Sequence, residues 1–179
     1  MREDIQEILF DEETLNEKIK EIAAKISEDY KGRELVVVGI LKGSVLFAAE
    51  LIKNISIPCE IDFMAVSSYG NSTETSGVVR ILKDLDYSIE GKDILLVEDI
   101  VDSGITLSYL LKYLKARKAH TIEIVSLLNK SARRTAKVDV KYIGFEVPDA
   151  FIVGYGIDYA EKYRNLPFIG VLKPEVYEK

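Results

Sequence analysis

The densest chemistry in this chain lies in the run Ile94-Leu95-Leu96-Val97-Glu98-Asp99-Ile100-Val101-Asp102-Ser103-Gly104-Ile105-Thr106. An apolar strand ends at two adjacent carboxylates, a third follows three residues later, and Ser103-Gly104-Ile105-Thr106 leads into a helix. Free backbone N–H groups and two hydroxyls at a helix N-terminus suit a phosphate, and Gly104 lets the main chain approach it closely. The run is neither a Walker A loop, which needs Gly-Lys-Ser/Thr, nor a Gly-x-Gly-x-x-Gly fingerprint. Three carboxylates would repel a bare anion. They make sense if they grip another part of the same ligand, such as sugar hydroxyls or a magnesium ion that accompanies a pyrophosphate. A ribose carrying a 5′-phosphate and a 1-pyrophosphate meets both demands. The competing reading is an acidic strand end that only caps a helix.

Other residues add weaker signals. Lys42-Gly43-Ser44 turns a strand into a helix and is by itself an ordinary turn. The basic run from Lys130 through Arg133 and Arg134 to Lys137 reads as a solvated helix face or loop. Phe151, within Ala150-Phe151-Ile152-Val153, reads as a core strand residue. Asp158 and Arg164 are a late acid and base of the kind usually solvated. The only histidine, His120, sits in a basic turn and is expected at the surface, so nucleophilic catalysis driven by a placed imidazole is disfavoured.

The elements that must position these groups follow from periodicity. Asp11 suits a helix N-cap, and Leu15, Ile19, Ile22, Ala23, Ile26 and Tyr30 recur at helical spacing until Gly32. Residues 35–41 form a short, valine-rich buried strand, and a second helix spans about 45–53. Strand character returns at 57–66, 78–82, 94–97, 122–128, 138–144, 150–153 and 168–172, with a helix after Gly104 that carries Leu107, Leu110, Leu111 and Leu114 on one face. Apolar strands alternating with amphipathic helices predict an α/β fold: one domain over residues 1–179, with a mainly parallel central sheet flanked by helices. Ligands in such folds bind beyond the carboxyl ends of the strands. Residues 67–77 break the pattern with serines, threonines and two glycines, the make-up of a mobile lid.

Composition narrows the class. With 179 residues, 47% of them apolar and 30% charged, the chain is an ordinary globular protein. A net charge of −6 argues against sequence-independent nucleic-acid binding. No apolar stretch is long enough for a membrane span. Met1-Arg2-Glu3-Asp4 carries acids where a signal peptide needs a basic segment. Cys59, expected in a buried strand, is the only cysteine, so a reducing cytoplasm is the expected setting.

Val97 to Thr106 resembles the phosphoribosyl-pyrophosphate signature of the type I phosphoribosyltransferases. Leu41-Lys42-Gly43, Ser67-Ser68-Tyr69-Gly70, Leu127-Leu128-Asn129-Lys130, Gly144-Phe145-Glu146-Val147-Pro148-Asp149 and Val153-Gly154-Tyr155-Gly156-Ile157-Asp158-Tyr159 extend the resemblance over nearly the whole chain. They narrow it to the purine-salvage branch, whose members act on hypoxanthine and guanine. The resemblance implies that Glu98 and Asp99 hold the ribose hydroxyls, directly or through Mg2+, with Asp158 as a further metal ligand. Asp102 is implied as the acid/base group facing purine N7. Ser103, Gly104, Thr106 and the main chain of Asp102 and Ile105 would cradle the 5′-phosphate. Some members carry a basic residue where Ile105 stands, so any contact there falls to the backbone.

For the pyrophosphate the resemblance implies Lys42, Gly43 and Arg164, with a peptide before Lys42 that can be cis. For the base it implies Lys130 on the 6-oxygen, Phe151 stacked on the purine, and the Ile152 backbone along its edge. It also implies a lid at Ser68 and Tyr69, a small hood built from the chain ends, and a homodimer or homotetramer. The partners implied are phosphoribosyl pyrophosphate and 6-oxopurine bases. Three rivals stay open: an enzyme of the same class acting on another base, an RNA-binding regulator using 130–137, and a binding module without catalysis.

Overall fold

The protein is described by a computed structural model that covers residues 1–68 and 79–178. The element order is β1 (Ile5–Phe10), α1 (Glu12–Asp29), β2 (Leu35–Leu41), α2 (Val45–Asn54), β3 (Cys59–Ser68), β4 (Val79–Lys83), β5 (Asp93–Val101), α3 (Ile105–Lys115), β6 (Thr121–Asn129), β7 (Tyr142–Glu146), β8 (Ile152–Val153), β9 (Ile169–Leu172) and α4 (Pro174–Tyr177). A six-stranded sheet runs β4-β3-β2-β5-β6-β7, and only β4 is antiparallel to its neighbour. Helices cover both faces. On one, Leu15, Ile19 and Ile26 of α1 and Phe47 and Leu51 of α2 pack with Val37, Leu95 and Val97. On the other, Leu107, Leu110 and Leu114 of α3 pack with Val38, Ile94 and Leu96. Burying an aliphatic or phenyl side chain of this kind contributes about 1.5–3 kcal/mol, so the two layers hold the sheet rigidly beneath its loops.

Local chemistry explains where the elements begin and end. Asp11 caps α1 by accepting a hydrogen bond from the Thr14 amide at 2.8 Å. Gly32, at φ +74°, turns the chain toward β2. The expected strand at 94–97 runs on to Val101, because its pairing with β6 continues through Ile100↔Leu128 and Val101↔Asn129. Glu98 and Asp99 therefore lie within the strand, not beyond its end. The strand expected at 138–144 begins only at Tyr142, where pairing with Val125 starts. Val138 and Val140 instead pack against the α3-side core from an irregular segment.

The chain ends form a separate three-stranded sheet, β1-β9-β8, which is the expected hood. Its strand β1 escapes the periodicity analysis: half of it is exposed, none of it is fully buried, and it pairs only with β9, from the other end of the chain. Ala150 and Phe151 precede β8, so that strand is shorter than expected. Cys59 is half-buried at the start of β3 instead of fully buried. His120 is exposed as expected and holds the Asp93 carboxylate at 2.8 Å. Ser68 ends β3, whereas Tyr69 and the rest of the expected lid up to residue 77 lie outside the described residues. Among the described residues, no helix is long and apolar enough to cross a membrane.

Candidate active site

β2 and β5 are adjacent, and their carboxyl ends open into a crevice where the strand order departs in both directions. The loop from β5 to α3 forms its floor. Gly104, at φ +80°, is the N-cap of α3 and brings no capping side chain, so the first-turn amides have no acceptor within the helix. A cavity of about 230 Å³ lies over them, lined by Glu98, Asp99, Asp102, Ser103, Gly104 and Thr106 together with Gly43. Ile105 has an apolar side chain here and can offer only its amide, which meets Ser103 Oγ at 3.4 Å.

The paired carboxylates within β5 are short of positive charge. Burial, and then the neighbouring Asp99, pushes the Glu98 carboxyl well above the usual carboxylate range. Burial raises Asp99 to about 6, although amide hydrogen bonds and Arg164 pull it back in part. Among the described residues neither carboxylate has an ion-pair partner within 4.0 Å. Asp102 Oδ1 is buried without any hydrogen-bond partner. Orphaned carboxylate oxygens of this kind fit a hard divalent cation or sugar hydroxyls. No group of three potential metal ligands converges among the described residues.

Opposite this loop, the Leu41–Lys42 peptide is cis, and a Cβ on Gly43 would run into the Asp99 carboxylate. Only glycine fits that close approach. Gly156, at φ +99°, presses equally close to the Gly43 carbonyl. Lys42 Nζ lies 2.8 Å from Glu161 Oε2. Arg164 Nη2 lies 3.0 Å from Asp158 Oδ1 and 3.2 Å from Glu161 Oε1. The two cations and Asp158 thus gather on one side of the crevice, with Glu161, which spacing alone does not flag, between the cations.

A second cavity of about 430 Å³ adjoins the first, and Ile100 and Asp102 line both. Lys130, Arg133, Asp149, Phe151, Ile152 and Tyr177 are among the other residues that line it. Lys130 is only 6% exposed, and its Nζ donates to the Ala150 carbonyl at 2.9 Å. It does not belong to a solvated basic run. Phe151 is 36% exposed, so it is not a core strand residue. One of its faces stacks on Tyr177, with ring centroids 4.7 Å apart and an interplanar angle of 24°, and Tyr159 meets its ring edge-on. Arg133 Nε pairs with Asp149 at 3.2 Å, and its Nη1 stands 3.8 Å from the Asp102 carboxylate. An anion cradle and a flat, partly apolar slot therefore meet at one carboxylate.

The model of the phosphoribosyl transferase domain matches residues 6–160. The chain belongs to that family. This phosphoribosyltransferase is 56% identical over 178 residues to the hypoxanthine-guanine phosphoribosyltransferase of Bacillus subtilis, covering 99% of each chain. It is 52% identical over 177 residues to the enzyme of the same name from Staphylococcus aureus, again covering 99% of each. The crystal structure of a hypoxanthine phosphoribosyltransferase from S. aureus superimposes with a TM-score of 0.97 at 51% identity, covering 100% of this chain and 97% of that one. Against that background, the residues that sequence reasoning missed in this phosphoribosyltransferase are Glu161, Arg134 and Tyr177. Each meets a partner distant in sequence, Lys42 for Glu161, Asp102 for Arg134 and Phe151 for Tyr177, and such pairs leave no local pattern.

Proposed function

We propose that this phosphoribosyltransferase carries the 5-phosphoribosyl group of phosphoribosyl pyrophosphate to N9 of hypoxanthine or guanine, giving the nucleoside monophosphate and pyrophosphate. The observation that carries the assignment of roles is that Asp102 borders both the anion cradle and the flat slot. A group at that junction reaches a base and a sugar at once. Ser103, Gly104, Thr106 and the Ile105 amide take the 5′-phosphate at the start of α3. Glu98 and Asp99 accept the ribose hydroxyls. Lys42, the Gly43 main chain and Arg164 receive the pyrophosphate, once Glu161 and Asp158 release the two side chains.

In the slot, Phe151 stacks on the purine, Lys130 donates to its 6-oxygen, and the Ile152 main chain runs along its edge. Asp102 accepts the proton that leaves N7 as N9 bonds to C1′, and the C1′–oxygen bond breaks to release the pyrophosphate with its electron pair. Positive charge develops on the ribose ring at that moment, and Glu98 and Asp99, whose burial disfavours ionisation in the free protein, ionise more readily beside that charge and stabilise it. Mg2+, held by Asp158 and by Asp99 or Glu98, would screen the pyrophosphate and improve it as a leaving group.

A spectrophotometric assay with hypoxanthine, phosphoribosyl pyrophosphate and magnesium tests the reading. Formation of the nucleotide with release of pyrophosphate is expected, and it should stop in excess chelator. RNA retention without turnover would instead favour the regulator. The lone cysteine and acidic charge support a cytoplasmic setting, and the family resemblance supports a homodimer or homotetramer, which sedimentation would distinguish from a monomer.

A further inference from the structure

The basic run after Lys130 is tied to the back of the phosphate cradle. Arg134 Nε donates to the Asp102 carbonyl at 3.0 Å, and Nη2 reaches the Val101 carbonyl at 3.5 Å. The same guanidinium binds the Asn129 side-chain oxygen, and its Nη1 lies 3.5 Å from the Val138 carbonyl. The next two amides, of Thr135 and Ala136, both donate to the Ser103 carbonyl at 3.0 Å. Three successive carbonyls of the cradle, those of Val101, Asp102 and Ser103, therefore point at one strap. A peptide plane whose carbonyl is fixed has its N–H fixed on the opposite side. Gly104 lies against this strap too: a Cβ there would sit 3.1 Å from Arg134 Cδ and Val138 Cγ2.

We propose that Arg134 is a positioning residue, which orients the cradle amides and the Asp102 side chain without touching substrate. This rests on the assignment of Ser103 to Thr106 as the 5′-phosphate site. A planar guanidinium can serve several acceptors in fixed directions at once. A lysine ammonium supplies charge without that fork. Asn129 extends the tie: it accepts from Arg134 and donates to Glu146, whose other oxygen accepts from Ser131 Oγ at 3.2 Å. The cradle and the segment carrying Lys130 are thus braced against one another.

The test compares Arg134→Lys and Arg134→Ala with Ser103→Ala. Thermal midpoint, kcat, and separate KM values for phosphoribosyl pyrophosphate and hypoxanthine are measured for each. Arg134→Lys should stay folded, yet raise KM for phosphoribosyl pyrophosphate about tenfold or more while KM for hypoxanthine moves much less. Added guanidinium should restore part of the activity of Arg134→Ala. Wild-type KM for phosphoribosyl pyrophosphate in a folded Arg134→Lys overturns the proposal. So does equal weakening of both substrates in step with a fall in melting temperature, which marks a merely structural role. If Ser103→Ala also leaves KM for phosphoribosyl pyrophosphate unchanged, the cradle assignment itself has failed, a result distinct from failure of Arg134 alone.

Discussion

The Lys130 ammonium donates to the Ala150 carbonyl in the wall of the second cavity, at 2.9 Å. One donor of the buried ammonium is used within the protein, which leaves two for a ligand in the cavity that Lys130 lines. Such a group satisfies a 6-oxo substituent, but sets donor against donor with a 6-amino group. Sites built around one polar contact discriminate by roughly 10⁴-fold against an analogue that cannot make it. Lys130→Ala should therefore lower kcat/KM for hypoxanthine by about 10- to 100-fold and narrow its advantage over adenine. Rates with both bases measure this. An unchanged hypoxanthine-to-adenine ratio would remove Lys130 from base recognition.

Asp102 presents a buried Oδ1 with no partner at the junction of the two cavities. Asp102→Asn keeps the shape and loses the ability to exchange a proton. The chemical step should slow by about 10²-fold, a typical share for general acid/base catalysis, while the melting temperature changes little. Single-turnover rates near wild type would rule out a proton-transfer role.

How far the sequence could be read depends on the range over which each feature is determined. The turn from β5 into α3 was legible because an apolar strand, paired carboxylates and a Gly-hydroxyl turn are all local, and their geometry follows within a few residues. Lys130 was ambiguous by composition, since it stands beside Arg133 and Arg134. Its burial depends on Ala150, far along the chain. Arg134 looked solvated for the same reason, while the carbonyls it serves belong to the preceding loop. Phe151 carries a strand-like pattern, yet the stacking of Tyr177 holds it at the slot, and no spacing rule connects those two aromatics. β1 was illegible because its pairing partner lies at the other end of the chain.

Far from the crevice, at the amino end of β5, Asp93 supports the fold. Burial would raise its carboxyl, but hydrogen bonds from Arg33, Thr121 and His120 outweigh it and hold the group at about 2. A carboxyl held below its unfolded value, near 3.9, stabilises the native state above that value and loses the effect as pH falls through about 2. Asp93→Asn should lower the melting temperature at pH 7 and flatten the dependence of stability on pH between about 4 and 2. Parallel wild-type and variant curves over that window would show that Asp93 contributes nothing to acid sensitivity.

Glu161 bridges the two cations assigned to the pyrophosphate, with Lys42 on one carboxylate oxygen at 2.8 Å and Arg164 on the other at 3.2 Å. The Lys42 hydrogen bond is the main cause of its lowered carboxyl pKa, so Glu161 is an ionised competitor of the substrate's pyrophosphate for the two cations. Lys42 and Glu161 are both largely exposed, and solvent screens such pairs strongly. The competition must therefore be mild. Glu161→Gln keeps the backbone tie from the Glu161 amide to Asp158 and removes the charge. KM for phosphoribosyl pyrophosphate should fall by about two- to fivefold at low ionic strength, and the difference should shrink as salt rises. Inhibition by added pyrophosphate should strengthen in parallel, because product and substrate meet the same freed cations. A KM that stays level, or rises, would mean that Lys42 and Arg164 do not have to leave Glu161 to receive the ligand.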